Sequence, residues 1–179
     1  RVIQGMSDAP QDVGMALPMS RMEATKIRED SGAERTIPTF EHHLLCDDEG
    51  RYPAELKEPE KKVLASESEK EGFAGWYRNP SRASQDSLGV AYRMDGAWNI
   101  VRPDFLFFAR AADGSIVVDI VDPHGTWLGD ALPKLKGLAD FAETHGGVFR
   151  RIEAVDEIDG ALKMLDLKDP AVRDVIRTA

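Results

Sequence analysis

The chain carries a single cysteine, Cys46, among 179 residues. One thiol excludes an intrachain disulfide and a thiolate metal cluster, and it points to an intracellular, cytoplasmic setting. Nothing beside Cys46 in the sequence lowers a thiol pKa, so it reads as a small buried hydrophobe rather than a nucleophile. Long apolar runs are missing as well. No stretch approaches the ~18 residues needed to span a bilayer, and no charged-then-apolar leader of the secretory type is visible, so no membrane partner is expected. A Walker-type glycine loop is absent, which removes ATP hydrolysis from this chain, and so is the Gly-x-Ser-x-Gly elbow of serine hydrolases. Positive charge is in the minority: 23 Lys and Arg stand against 32 Asp and Glu, for a net charge of −9. That balance weakens a nucleic-acid reading, because phosphate neutralisation supplies most of such affinity. The relevant field is local, however. Arg78, Arg82, Arg93 and Arg102 gather in one stretch, whereas much of the acidity lies at residues 47 to 71 and 153 to 159.

What is present describes one globular unit. Length suffices for one sizeable core with a small appendage. Residues 1 to 36 are polar and methionine-bearing, without a firm pattern, and read as an N-terminal extension or linker. Residues 37 to 179 form the domain. A short strand is expected from 39 to 46. A helix follows over 58 to 70, with Pro59 in its first turn and Glu60, Val63, Leu64 and Glu67 on one face. Strands are expected at 88 to 93, 99 to 110 and 115 to 122. Asp130 suits the cap of a helix running to His145, whose Leu135, Leu138, Ala139 and Ala142 make an apolar stripe. A strand over 148 to 155 and a helix over 157 to 165 come next. Asp169-Pro170 then opens a terminal helix. This order predicts an α/β fold: a central mixed β-sheet flanked by α-helices.

The densest chemistry lies between residues 102 and 125. Arg102-Pro103-Asp104-Phe105-Leu106-Phe107-Phe108 and Ile116-Val117-Val118-Asp119-Ile120-Val121-Asp122 read as two apolar strands joined at Asp113-Gly114, with an acid at the outer end of each. Two carboxylates meeting at one rim require compensation by a cation, a proton or a donor, and a divalent metal is the natural candidate. Which acids meet depends on turn parity. A plain two-residue loop places Asp104 opposite Pro123 and on the face of Asp119. An extra residue, with Gly114 in the left-handed conformation, places it across from Asp122 or His124. The residues alone leave both open. Other combinations are weaker: His42-His43 with Asp47-Asp48 sketches a metal site, yet adjacent strand residues point to opposite faces.

The segment resembles the PD-(D/E)xK nuclease core, in the version found at the end of type III restriction and related superfamily II helicase-nuclease polypeptides. That family has a Pro-Asp-aromatic strand, a turn, and a strand ending in an apolar residue followed by Glu-x-Lys-Gly. Val121-Asp122-Pro123-His124-Gly125 overlays this ending. Pro59-Glu60-Lys61-Lys62-Val63-Leu64 is similar to the helix before the core, and Trp76-Tyr77-Arg78-Asn79-Pro80 to the aromatic-x-Asn-Pro element after it. Leu88-Gly89-Val90-Ala91-Tyr92 is similar to the first core strand, and Leu132-Pro133-Lys134-Leu135-Lys136 to the opening of the helix after the catalytic strand. The likeness spans roughly residues 40 to 155, and it favours the odd, bulged turn.

The resemblance implies a restriction-endonuclease-like fold and divalent-metal-dependent hydrolysis of DNA. Asp104 and Asp122 would hold Mg²⁺ or Mn²⁺, with Asp119 the rival second ligand and Glu60 a supporting acid. It also implies DNA and an N-terminal helicase domain or larger restriction complex as partners. The chain departs from the motif where aspartate replaces glutamate and the lysine is missing. His124, with an ordinary pKa of about 6.5, or Lys134 or Lys136 on the next helix, would have to replace that lysine. The alternative is a catalytically inactive nuclease-like module used for DNA docking or helicase interaction.

Overall fold

A computed structural model describes residues 25–123 and 131–179. The methionine-bearing stretch up to residue 24 and the proposed cap Asp130 lie outside the described residues. Eleven strands and three helices are described, and five of the strands form one mixed sheet in the order β11-β10-β9-β8-β5. Here β5 is Phe73–Arg78, β8 Phe105–Arg110, β9 Ile116–Pro123, β10 Arg151–Ile158 and β11 Ala161–Asp166. Helix α1 (Glu58–Ser68) precedes β5, α2 (Ala131–His145) joins β9 to β10, and α3 (Pro170–Thr178) closes the chain. β8 runs antiparallel to both β5 and β9, whereas β9 and β10 are parallel. Parallel neighbours need a crossover, and α2 supplies it.

The β8–β9 hairpin decides which acids meet. Phe105 pairs with Val121 and Arg110 with Ile116, so the register continues to Asp104 opposite Asp122. The loop explains this parity. The amide of Gly114 donates to the carbonyl of Ala111 at 2.9 Å, that of Ala111 donates to Ser115 at 2.8 Å, and Gly114 has φ +86°. A turn followed by a left-handed glycine inserts the extra residue. Asp113 completes it by accepting from the amide and hydroxyl of Ser115 at 2.9 and 2.6 Å.

Two apolar clusters line opposite faces of the sheet. On one side Val63 and Leu64 of α1 meet Trp76, Phe105, Phe107, Val121 and Val155. On the other, Leu135, Leu138, Ala139 and Ala142 of α2 meet Ile120, Ile152 and Ala154, together with Ile176 of α3. The stripe expected for α2 is therefore its buried face, and alternation along β9 and β10 feeds both clusters. The N-cap of α3 also follows the sequence reading, with the Asp169 carboxylate accepting from the amide of Ala171 at 2.8 Å.

Several expectations are corrected. The helix expected over 157 to 165 is β11, paired antiparallel with β10 through Asp159 and Gly160 at φ 54° and 77°. Two consecutive left-handed residues make a tight hairpin, which an Asp-Gly pair accommodates. The single strand expected over 99 to 110 is two, β7 (Ala97–Val101) and β8, divided before Asp104. β6 (Val90–Met94), the segment likened to a first core strand, pairs with β7 in a separate two-stranded sheet. One edge of the main sheet is instead β5, a strand absent from the sequence reading. The strand expected from 39 to 46 shrinks to β3 (Thr39–Phe40), paired with β4 (Tyr52–Pro53), and the polar N-terminal stretch contains a hairpin of β1 (Lys26–Arg28) and β2 (Glu34–Thr36).

The β6–β7 hairpin is seated on α2 through Val90, Tyr92 and Val101. A Cβ at Gly137 would lie 2.4 Å from the Tyr92 Cβ, whereas one at Gly147 would meet nothing within 4 Å. Gly137→Ala is therefore expected to lose about 1–3 kcal/mol of stability in urea denaturation, with Gly147→Ala near neutral as its control.

Candidate functional site

The candidate site forms where the ends of β5, β8 and β9 meet the start of α1. Asp122, fully buried, accepts the backbone amide of Asp104 at 2.9 Å. The two acids are thus neighbours, as the register requires, and an amide joins them. The Asp104 carboxylate, 24% exposed, is 3.2 Å from Nη2 of Arg78. The same nitrogen is 2.9 Å from Oε1 of Glu60. Glu60 uses its other oxygen to accept the amide of Lys57 at 2.8 Å, which caps the open N-terminus of α1. A helix-start acid favoured by the macrodipole and an acid leaning toward the rim are here one residue in two roles.

Arg78 is the residue that the motif comparison passed over. Its backbone pairs with Phe105 across β5 and β8, and its guanidinium lies 5.0 Å from the centre of the Phe105 ring. Its Nη1 is buried without a hydrogen-bond partner, which the ring face compensates in part. Next to it, buried Asn79 clamps three segments. Its amide donates to Leu88 at 2.9 Å and Pro103 at 2.7 Å, while its carbonyl oxygen accepts from Leu88 at 2.8 Å. Its backbone amide donates to Asp104 at 2.9 Å. Asn79 therefore fixes the chain entering and leaving the β6–β7 hairpin relative to the rim.

Below Arg78 lies His43, 2% exposed and stacked on Tyr52 with ring centres 3.4 Å apart. It reaches this position because the segment around His42 runs along β5. The amide of Trp76 donates to the carbonyl of His42 at 3.0 Å, and only a glycine at position 75 tolerates that carbonyl, 2.9 Å from where a Cβ would stand. Both ring nitrogens of His43 face amides, those of Arg78 and Leu45, each at 3.1 Å. A neutral imidazole accepts at one nitrogen alone, and a protonated one at neither. Burial accordingly lowers its pKa to about 4.

Asp119 is a correction to the expected ligand set. It stands opposite Phe107, on the other face of β9 from Asp122, and is fully buried. Arg150 and Arg151 both pair with it, Arg151 at 2.8 Å, and the amide of Arg151 donates at 3.1 Å. Arg151 extends to Glu67 at 2.6 Å and Glu153 at 2.9 Å. Burial alone would raise the Asp119 pKa, but the two guanidinium groups outweigh it and hold the carboxyl below the usual range. Asp119 is a structural anchor between β9, β10 and α1.

Lys134 and Lys136 lie on α2, both partly buried, and His124 is outside the described residues. The structure thus joins Asp104, Asp122 and Glu60, excludes Asp119, and adds Arg78. Among the described residues no group of three or more His, Cys, Asp or Glu side chains is arranged to hold a metal ion. The donor set explains this: Glu60 and Asp104 share a guanidinium, and Asp122 meets a backbone donor. Among the described residues no helix is long and apolar enough to cross a membrane.

Comparison with known proteins shows the family. The YagJ family model matches residues 41–179, and Protein YagJ of Escherichia coli (strain K12) is 52% identical over 179 residues, all of this chain and 73% of that protein. The chain belongs to the YagJ family. No solved structure matches it significantly.

Two outcomes test the site's electrostatics. Asp119→Asn leaves two arginines without their carboxylate and is expected to cost about 2–4 kcal/mol in urea denaturation. For His43, the unfolded ring takes its proton near pH 6.5 and the folded ring near pH 4, so between these values the unfolded state binds more protons. Its contribution is intact above pH 6.5 and falls by about 3 kcal/mol as pH drops to 4. His43→Gln should flatten that part of the curve.

Proposed function

We propose that this YagJ-family protein is a nuclease-like α/β module that docks on DNA, with its acidic rim closed by Arg78 instead of a divalent ion. The observation that carries the reading is the single guanidinium nitrogen shared by Glu60 and Asp104. Three lines support it. The order of elements agrees with the restriction-endonuclease-like resemblance: a helix before the core, an antiparallel pair ending in the two acids, a helix after the second acid, then a parallel strand. The lysine of the motif is replaced by His124. Finally, a bound guanidinium supplies the compensation that paired carboxylates require, without any ion. DNA, or a helicase-bearing polypeptide acting on it, is the partner that the same resemblance implies.

A second reading, divalent-metal-dependent DNA hydrolysis, is favoured by the register that sets Asp104 opposite Asp122. In that case Arg78 has to leave the carboxylates before an ion enters. Calorimetry with Mn²⁺, paired with a plasmid-nicking assay, separates the two. The docking module predicts no Mn²⁺ binding that depends on Asp104 and Asp122, and no nicking. Arg78→Gln, which removes the charge between Glu60 and Asp104, is expected to create measurable Mn²⁺ affinity. Mn²⁺-dependent nicking by the wild-type chain that disappears in Asp104→Ala would overturn the docking reading in favour of the nuclease.

A further inference from the structure

The outer face of the β6–β7 hairpin exposes large apolar side chains beside an arginine. Its inner residues Val90, Tyr92 and Val101 are buried, so alternation turns Arg93, Trp98 and Ile100 outward. Trp98 is 69% exposed and Ile100 55%. Arg93 pairs with Trp98 across the hairpin, and its guanidinium lies 5.3 Å from the indole centre. A tryptophan left this open contributes nothing to the core. Held by a guanidinium, it offers a fixed aromatic plane with a positive charge beside it.

Charge points to the occupant. Residues 79 to 103 contain three arginines and two aspartates, and no lysine or glutamate, within a chain of net charge −9. Arg82 and Arg93 are exposed and Arg102 is half-buried, holding the hydroxyl of Ser87 at 3.0 Å. The hairpin also joins the rim directly: Asn79 ties Leu88 at its entry and Pro103 at its exit. An aromatic plane flanked by arginines is the chemistry that accepts an unpaired base and its phosphate. A base inside a duplex has no free face to stack.

We infer that the Arg93–Trp98 face of the β6–β7 hairpin is a stacking platform for single-stranded nucleic acid. This rests on the DNA-docking reading and specifies where, and in which form, the strand is held. Arg93 supports the plane of Trp98 and faces the backbone phosphates.

The test is fluorescence anisotropy of a labelled oligo-dT and of a duplex of equal length, titrated with the full chain at low and moderate salt. The expected result is tighter binding of the single strand. Trp98→Ala should weaken it by about tenfold or more, Trp98→Phe should retain most of it, and Arg93→Ala should weaken it while reducing the salt dependence. Trp98 is exposed, so circular dichroism melts of the variants should match the wild type. Single-strand binding unaffected by Trp98→Ala, or a preference for the duplex, overturns the platform and leaves the docking reading standing. No binding of either oligonucleotide overturns both. If sedimentation shows a dimer that Trp98→Ala dissociates, while oligonucleotide binding is unchanged, the face is an interface between copies and the platform is overturned.

Discussion

One backbone torsion governs the arrangement of charge in this molecule. Gly114 sits at φ +86°, and the residue it inserts into the β8–β9 hairpin sets Asp104 opposite Asp122. Side chains alternate along a strand, so a slip of one residue would have exchanged Asp122 and Asp119 between the two faces of the sheet. Asp119 would then lie among Ile120's neighbours, away from the arginines of β10. The rim cluster and the buried anchor are therefore two consequences of one turn.

Every buried acid in this region has its own form of compensation, and the forms differ. Asp119 is met by two guanidinium groups and an amide, an arrangement that ties α1, β9 and β10 together. Glu60 divides its oxygens between a helix N-terminus and Arg78. Asp122 takes a backbone donor. Ion pairs of this kind add little net stability over an apolar core, but removing one partner strands the other charge. Arg78 holds the central position because it touches Glu60, Asp104 and Phe105 at once, while its amide faces His43.

The YagJ family assignment and the α/β architecture stand together, and the functional reading extends from the rim outward. The β6–β7 hairpin departs from the five-stranded sheet immediately before Asp104, and Asn79 holds both of its ends. A surface carried by that hairpin is thereby fixed relative to the acids without belonging to the sheet.

Much of the fold is legible from residue order because periodicity is a local property. The stripe on α2, the proline-led starts of α1 and α3, and the paired apolar strands around Asp113-Gly114 each follow from a few consecutive side chains. The same locality explains the failures. The segment from Ala161 to Asp166 alternates too irregularly to announce a strand and became one by pairing with β10, and β5 was missed because its apolar run is short and contains a glycine. The candidate site divides in the same way. Sequence determined which acids were available at the rim: Asp104, Asp122, Asp119 and Glu60. Tertiary structure decided which of them met and with what partner, because turn parity and the approach of Arg78, Arg150 and Arg151 depend on strands distant in the chain, and Coulomb attraction acts through space.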